Sequence, residues 1–137
     1  MEKNNLKSIK QKLLFIFIVA FCFCSHSKEL ECQGAIIRIL NKITTEKSLY
    51  VIPLSQTLEL ENARIIIYRC VKLDDDSGDD EIALMSHKLE TFRNEEDFFG
   101  WTFKSSQYLN TPINPIYDIK LQECLIDDPI FLKRIPL

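Results

Sequence analysis

The run Asp97-Phe98-Phe99-Gly100-Trp101-Thr102-Phe103-Lys104-Ser105-Ser106 constrains the chain more than any other stretch. It holds the only tryptophan and one of three glycines. At the two-residue period of a strand, Phe99, Trp101 and Phe103 share one face, while Phe98, Gly100, Thr102 and Lys104 share the other. Rings of this size carry more apolar area than any comparable run in the second half of the chain. Phe99, Trp101 and Phe103 are therefore expected to anchor a core.

The same two-residue alternation recurs around it. Residues 35–40, 48–53, 58–60, 64–72, 82–89 and 116–124 read as strands, separated by polar or proline-bearing turns. Residues 64–72 are apolar on both faces and should be central, with Ile65, Ile67 and Val71 opposed to Ile66, Tyr68 and Cys70. Between Asp74 and Glu81 six of eight residues are acidic, which predicts a solvated loop. No long amphipathic helix follows the first segment. About seven short strands imply an all-β domain, a small β-sandwich or barrel, with α+β as the alternative.

The first segment is different in kind. Lys3, Lys7, Lys10 and Lys12 precede an uncharged run from Leu13 to Cys24. That run is short of the ~20 apolar residues of a spanning helix, and a basic head before it is the secretory pattern. Residues 1–27 are read as a hydrophobic signal helix, with Ser25-His26-Ser27 as the cleavage site. Cleavage after Cys24, an uncleaved anchor and lipid attachment at Cys22 are the alternatives. A polar lead-in (28–34), a β-rich domain (35–124) and an apolar tail (125–137) follow. Of 17 basic and 20 acidic residues, the signal takes four lysines and one glutamate, leaving a net charge of −6. That argues against nucleic acid or an anionic membrane surface as partner, so membrane contact is expected only through an uncleaved N-terminal segment.

Export favours disulfides. Cys70 and Cys124 sit in apolar strand-like runs and Cys32 in the polar lead-in, so we pair Cys70 with Cys124 and leave Cys32 over. Strand alternation puts Cys124 on the face opposite Tyr117, Ile119 and Leu121. Either the bridge forms on that side, or the strand bulges or ends near Glu123.

Tests for chemistry return little. Counted from Asp74, the acidic run puts Gly78 at position five and Asp79 at six, which fails the EF-hand pattern. His87 is the only histidine after the signal, and no CxxC pair follows it, so no metal or other cofactor is implied. A thiol enzyme using Cys32 or an unpaired Cys70, with His87 as base, is one reading. Ser105 and Ser106 lack the glycine-flanked elbow of a hydrolase and read as a turn or capping pair. With Tyr108 they form the candidate surface site. Trp101 and Tyr108 could bind a cell-wall glycan, and any exposed strand edge could pair with a partner.

Several segments carry a family resemblance in order. They are Leu40-Asn41-Lys42-Ile43-Thr44, Ile52-Pro53-Leu54-Ser55-Gln56-Thr57, the strand ending at Cys70, Phe98 to Gln107, and Asn114-Pro115-Ile116-Tyr117-Asp118 with Cys124. Over residues 35–124 the chain resembles domain of unknown function 2155, a family of exported bacterial proteins best represented in alphaproteobacteria. Departures include Asn41 for Asp, Ser55 for Gly, Phe99 for Ser, Gln107 for Pro, Asn114 for His and Lys120 for a second Trp. The resemblance implies an exported protein, supports the Cys70–Cys124 pairing and supplies no activity. The expectation is a periplasmic, non-catalytic binding or assembly module, whose partner is an envelope protein or cell-wall component.

Overall fold

The computed structural model describes residues 2–21, 28–75, 78–90 and 97–137. The cleavage-site residues 22–27, with Cys22 and Cys24, lie outside them, as do Asp76, Ser77 and the polar connection 91–96. Helix α1 spans Glu2–Phe21, and its Leu13, Leu14, Phe15, Ile16, Phe17 and Ile18 are exposed. No described helix is long and apolar enough to cross a membrane.

Among the described residues nine strands follow: β1 (Lys28–Cys32), β2 (Gly34–Asn41), β3 (Lys47–Pro53), β4 (Thr57–Glu59), β5 (Ala63–Asp75), β6 (Gly78–Leu89), β7 (Phe98–Phe103), β8 (Tyr117–Leu125) and β9 (Lys133–Pro136). They form two antiparallel sheets. Sheet A has the order β1-β5-β6-β7, with β4 sharing the β5 edge used by β1; sheet B has the order β8-β2-β3-β9. The core lies between them, built from Ala35, Ile37, Ile39, Ile52, Ile119 and Leu121 of sheet B and Ile65, Ile67, Ala83 and Met85 of sheet A. This is the all-β sandwich class.

Cys70 of β5 and Cys124 of β8 form a disulfide between the sheets, with Cα atoms 5.6 Å apart. Two β-bulges turn both cysteines inward. In β5, Ile67 pairs with Met85 and Arg69 with Leu84, so Tyr68 is the extra residue. The bulge reverses the alternation, and Cys70 joins the Ile65 and Ile67 face instead of opposing it. In β8, Ile37 pairs with Leu121 and Ile36 with Glu123, so Gln122 is extra and Cys124 joins the face of Tyr117, Ile119 and Leu121.

Three expectations are corrected. The aromatic triplet does not anchor the core. Phe99 is 66% exposed, and Trp101 and Phe103 are half-buried on the outer face of sheet A. The inward residues of β7 are Phe98, Gly100 and Thr102, opposite buried His87, Met85 and Ala83. β7 is an edge strand packed near β8. A Cβ on Gly100 would lie 2.9 Å from Asn110 Nδ2, which donates to the Trp101 carbonyl at 2.8 Å. Gly100 thus lets the following loop cap the open edge of β7.

The acidic run is not wholly loop. Asp74 and Asp75 end β5, and residues 78–81 begin β6, with Asp74 opposite Asp79. Its carboxylates reach partners from these strand positions, as Glu81 shows below. The lead-in and tail are also strands: β1 pairs with β5, and β9 with β3. Between β8 and β9 the chain crosses Gly34, where a Cβ would meet Pro129 at 2.9 Å.

Candidate functional site

The outer face of sheet A is partly exposed. β7 contributes Phe99, Trp101 and Phe103, β6 contributes Ile82, Leu84 and Ser86, and β5 contributes Ile66, Tyr68 and Val71, of which Val71 is buried and Phe99 and Tyr68 are exposed. Tyr68 is 44% exposed and meets Phe99 edge to face, with ring centroids 5.6 Å apart. Such a pair adds about 0.5–1.5 kcal/mol beyond the area it buries, so these rings hold one another in place. The Arg69 guanidinium lies 5.8 Å from the Trp101 centroid, and Glu31 grips Arg69 through both Nε and Nη2. That contact holds the Glu31 carboxyl below its usual range, the hydrogen bond from Arg69 being the main cause.

Carboxylates outnumber cations around this patch. Glu29 stands 3.9 Å from Arg69. Arg64 meets Glu90 at 2.6 Å and Glu59 at 3.6 Å, and Lys88 meets Asp97 at 3.8 Å. Each cation is already answered, and the surplus is acidic.

Ser105, Ser106 and Tyr108 sit at one end of the sandwich, beyond β7. Ser105 donates from its hydroxyl to Asp80 at 2.6 Å and from its backbone N–H at 3.0 Å. Asp80 thus caps the Ser105 backbone and fixes its hydroxyl. Ser106 accepts the Leu109 N–H through its carbonyl. Tyr108 is 91% exposed, and its ring lies under the Lys120 ammonium at 3.8 Å. The three residues share a shallow hollow of about 370 Å³. Ser105 also borders a larger cleft of about 900 Å³ between the end of sheet A and this loop, lined by Lys28, Leu30, Lys72, Asp74, Glu81 and Lys104 among others.

Glu81 organises that cleft. It accepts from Lys104 Nζ at 2.8 Å and from the Cys124 amide on the open edge of β8, and Lys72 Nζ lies 4.0 Å away. The bond from Lys104 to Glu81 pushes the Lys104 ammonium above its usual range. Within it, Glu81 and Lys104 pair with each other and Ser105 with Asp80.

The groups weighed for catalysis lie elsewhere. His87 is buried at 2% exposure, with Nε2 3.0 Å from Asn114 Nδ2. Asn114 also accepts from the N–H groups of Ile116 at 2.8 Å and Tyr117 at 2.9 Å, and bonds Asn62. These side chains tie the approach to β8 to sheet A. Cys32 is free and buried, and desolvation pushes its thiol above the usual range, so it rests as the protonated thiol at neutral pH. Cys70 is bonded to Cys124. Among the described residues no group of three His, Cys, Asp or Glu is placed to hold a metal ion.

Sequence reasoning put Tyr68 on the face of Ile66 but missed Arg69, because a bulge leaves no mark on the alternation until the partner strand is known. The glycan reading joined Trp101 to Tyr108, yet each ring has one face taken by a cation, Arg69 for the first and Lys120 for the second.

The class is thus a disulfide-stapled β-sandwich with exposed aromatic side chains on one outer sheet face. The chain belongs to the bacterial family DUF2155, described as an uncharacterized protein conserved in bacteria, whose model matches residues 35–124. Comparisons with curated proteins and with solved structures found no match.

Proposed function

We propose that this protein is an exported, periplasmic, non-catalytic binding module of the bacterial cell envelope, and that the outer face of sheet A is its binding surface. One observation carries the reading: Phe99 is 66% exposed and Tyr68 44% on a face that also presents Trp101. An exposed cluster of large apolar side chains rimmed by charge is what marks an interaction site on a soluble domain. The aromatic–arginine content matches the composition of interface anchors.

The partner is a protein surface, apolar at its centre and basic at its rim. The acidic surplus around Arg69 and Arg64 favours that charge and disfavours a second acidic copy of this chain. The edge-to-face packing of Tyr68 and Phe99, and the arginine over Trp101, leave no row of free ring faces for a glycan. The basic head and short apolar run before residue 28 support export.

A photo-crosslinking residue placed at Phe99 in cells tests the proposal, with one at exposed Ile43 as the control. The expected result is a single periplasmic protein adduct from position 99, basic in charge, lost in the Arg69→Glu background and absent from position 43. No adduct at 99, or the same adducts from both positions, would overturn it.

A further inference from the structure

We infer that the Cys70 disulfide has two alternative partners: the Cys32 thiol exchanges with the Cys70–Cys124 bridge, so the protein has one isomer stapled between its sheets and one stapled within sheet A.

The register of β1 carries this. Cys32 lies directly opposite Cys70 in the β1–β5 ladder, so the two side chains share one face. Directly opposed residues of an antiparallel pair have Cα atoms about 4.5–5.5 Å apart, inside the window for a disulfide. Cys124 reaches the same Cys70 sulfur from sheet B, with Cα atoms 5.6 Å apart. All three cysteines are buried in one cluster, at 1% exposure for Cys32 and 0% for the other two. One sulfur therefore has two buried sulfur-bearing neighbours, one on each sheet.

The step is balanced within the chain. The Cys32 thiolate attacks the Cys70 sulfur, a Cys32–Cys70 bond forms, and the Cys70–Cys124 bond breaks. Its electron pair leaves on the Cys124 sulfur, which takes up the proton that Cys32 lost. One thiol and one disulfide exist before and after, so no oxidant or reductant is consumed. Each thiol also has a carbonyl acceptor in place. Cys32 Sγ lies 3.6 Å from the Leu30 oxygen, while Cys124 Sγ lies 3.6 Å from the Ile82 oxygen and 3.8 Å from that of Val71.

The two isomers differ in what they hold. The Cys70–Cys124 bridge joins the sheets. The Cys32–Cys70 bridge ties β1 to β5 and leaves sheet B held by burial and by the bond from the Cys124 amide to Glu81. Burial raises the Cys32 thiol, Lys72 opposes that rise, and Glu81 and Glu31 add to it, so exchange speeds up as pH rises.

The test is a disulfide map of the full chain. Native protein is held at pH 8.5, quenched in acid, alkylated under denaturing conditions and digested without reduction. The expected result is a Cys32–Cys70 peptide in about 1–10% of chains, the range of an accessible minor state, with Cys124 alkylated in the same fraction. Cys124→Ala in a glutathione disulfide buffer should then form Cys32–Cys70 as its main bridge. A map with only Cys70–Cys124 in the native chain would overturn the inference. So would Cys32–Cys124, or bridges to Cys22 and Cys24, as abundant as Cys32–Cys70, because that pattern marks scrambling of unfolded chains.

Discussion

The inner face of β7 presents Phe98, Gly100 and Thr102 to the core, whereas its outer face presents Phe99, Trp101 and Phe103 to solvent and to Arg69. Both faces belong to one six-residue strand, and size alone assigns them backwards. The inner face is set by the Asn110 side chain that closes the strand edge. The outer face has no such limit, so it carries rings that the fold does not need to bury. Large apolar residues at strand spacing therefore identify a strand with confidence in its period but not in its direction.

Substitutions can break this contrast, beginning with the inner face. Met85→Ala, opposite Gly100, should cost about 2–5 kcal/mol by urea denaturation, the range for a large side chain lost from a packed core. A cost under about 1 kcal/mol would place that face outside the core. Asn114→Ala should cost about 1–3 kcal/mol, since it strips acceptors from two backbone N–H groups and a partner from His87. Accelerated exchange of the Ile116 and Tyr117 amides would report the loss directly.

Gly100→Ala sharpens the comparison at intermediate size. Its Cβ displaces Asn110 from the Trp101 carbonyl, and the lost hydrogen bond costs about 0.5–1.5 kcal/mol. Asn110→Ala in the same background should recover part of the loss in the same denaturation assay.

The outer face should behave in the opposite way. Phe99→Ser should change stability by less than about 0.5–1 kcal/mol, because a largely exposed ring contributes little burial, although its contact with Tyr68 is lost. The smallest effect concerns Arg69 and Glu31. The Glu31 carboxyl is lowered in the folded protein, so the stability it adds is present above its unfolded pKa, near 4.5, and is lost as pH falls through the lower folded value. Both groups are about half exposed, so solvent screening keeps the contribution small. Trp101 emission should nonetheless shift to the red over that acid range as Arg69 loses its anchor, and Glu31→Gln should abolish the shift.

The strand content was legible, since alternation and breakers located the strands from residue 35 to residue 124. The ends of the chain were not. β1 exposes four of its five residues and β9 all four, so neither shows an apolar face to read; pairing with β5 and β3 makes them strands. The candidate surface was half legible. Phe99 and Trp101 stood out by type, but their outward direction depends on the register with β6. Arg69 reaches the patch through a bulge. Ser105 is held by the Asp80 carboxylate, which lay in a run expected to be loop.

The outward direction of the aromatic triplet is the central claim, and the melting temperature of Phe99→Lys tests it most directly. A lysine at an exposed position on β7 should leave the midpoint within about 3 °C of the wild type, less than 1 kcal/mol for a domain of this size. A fall of about 10 °C or more would mean that Phe99 is buried after all, and would contradict the account.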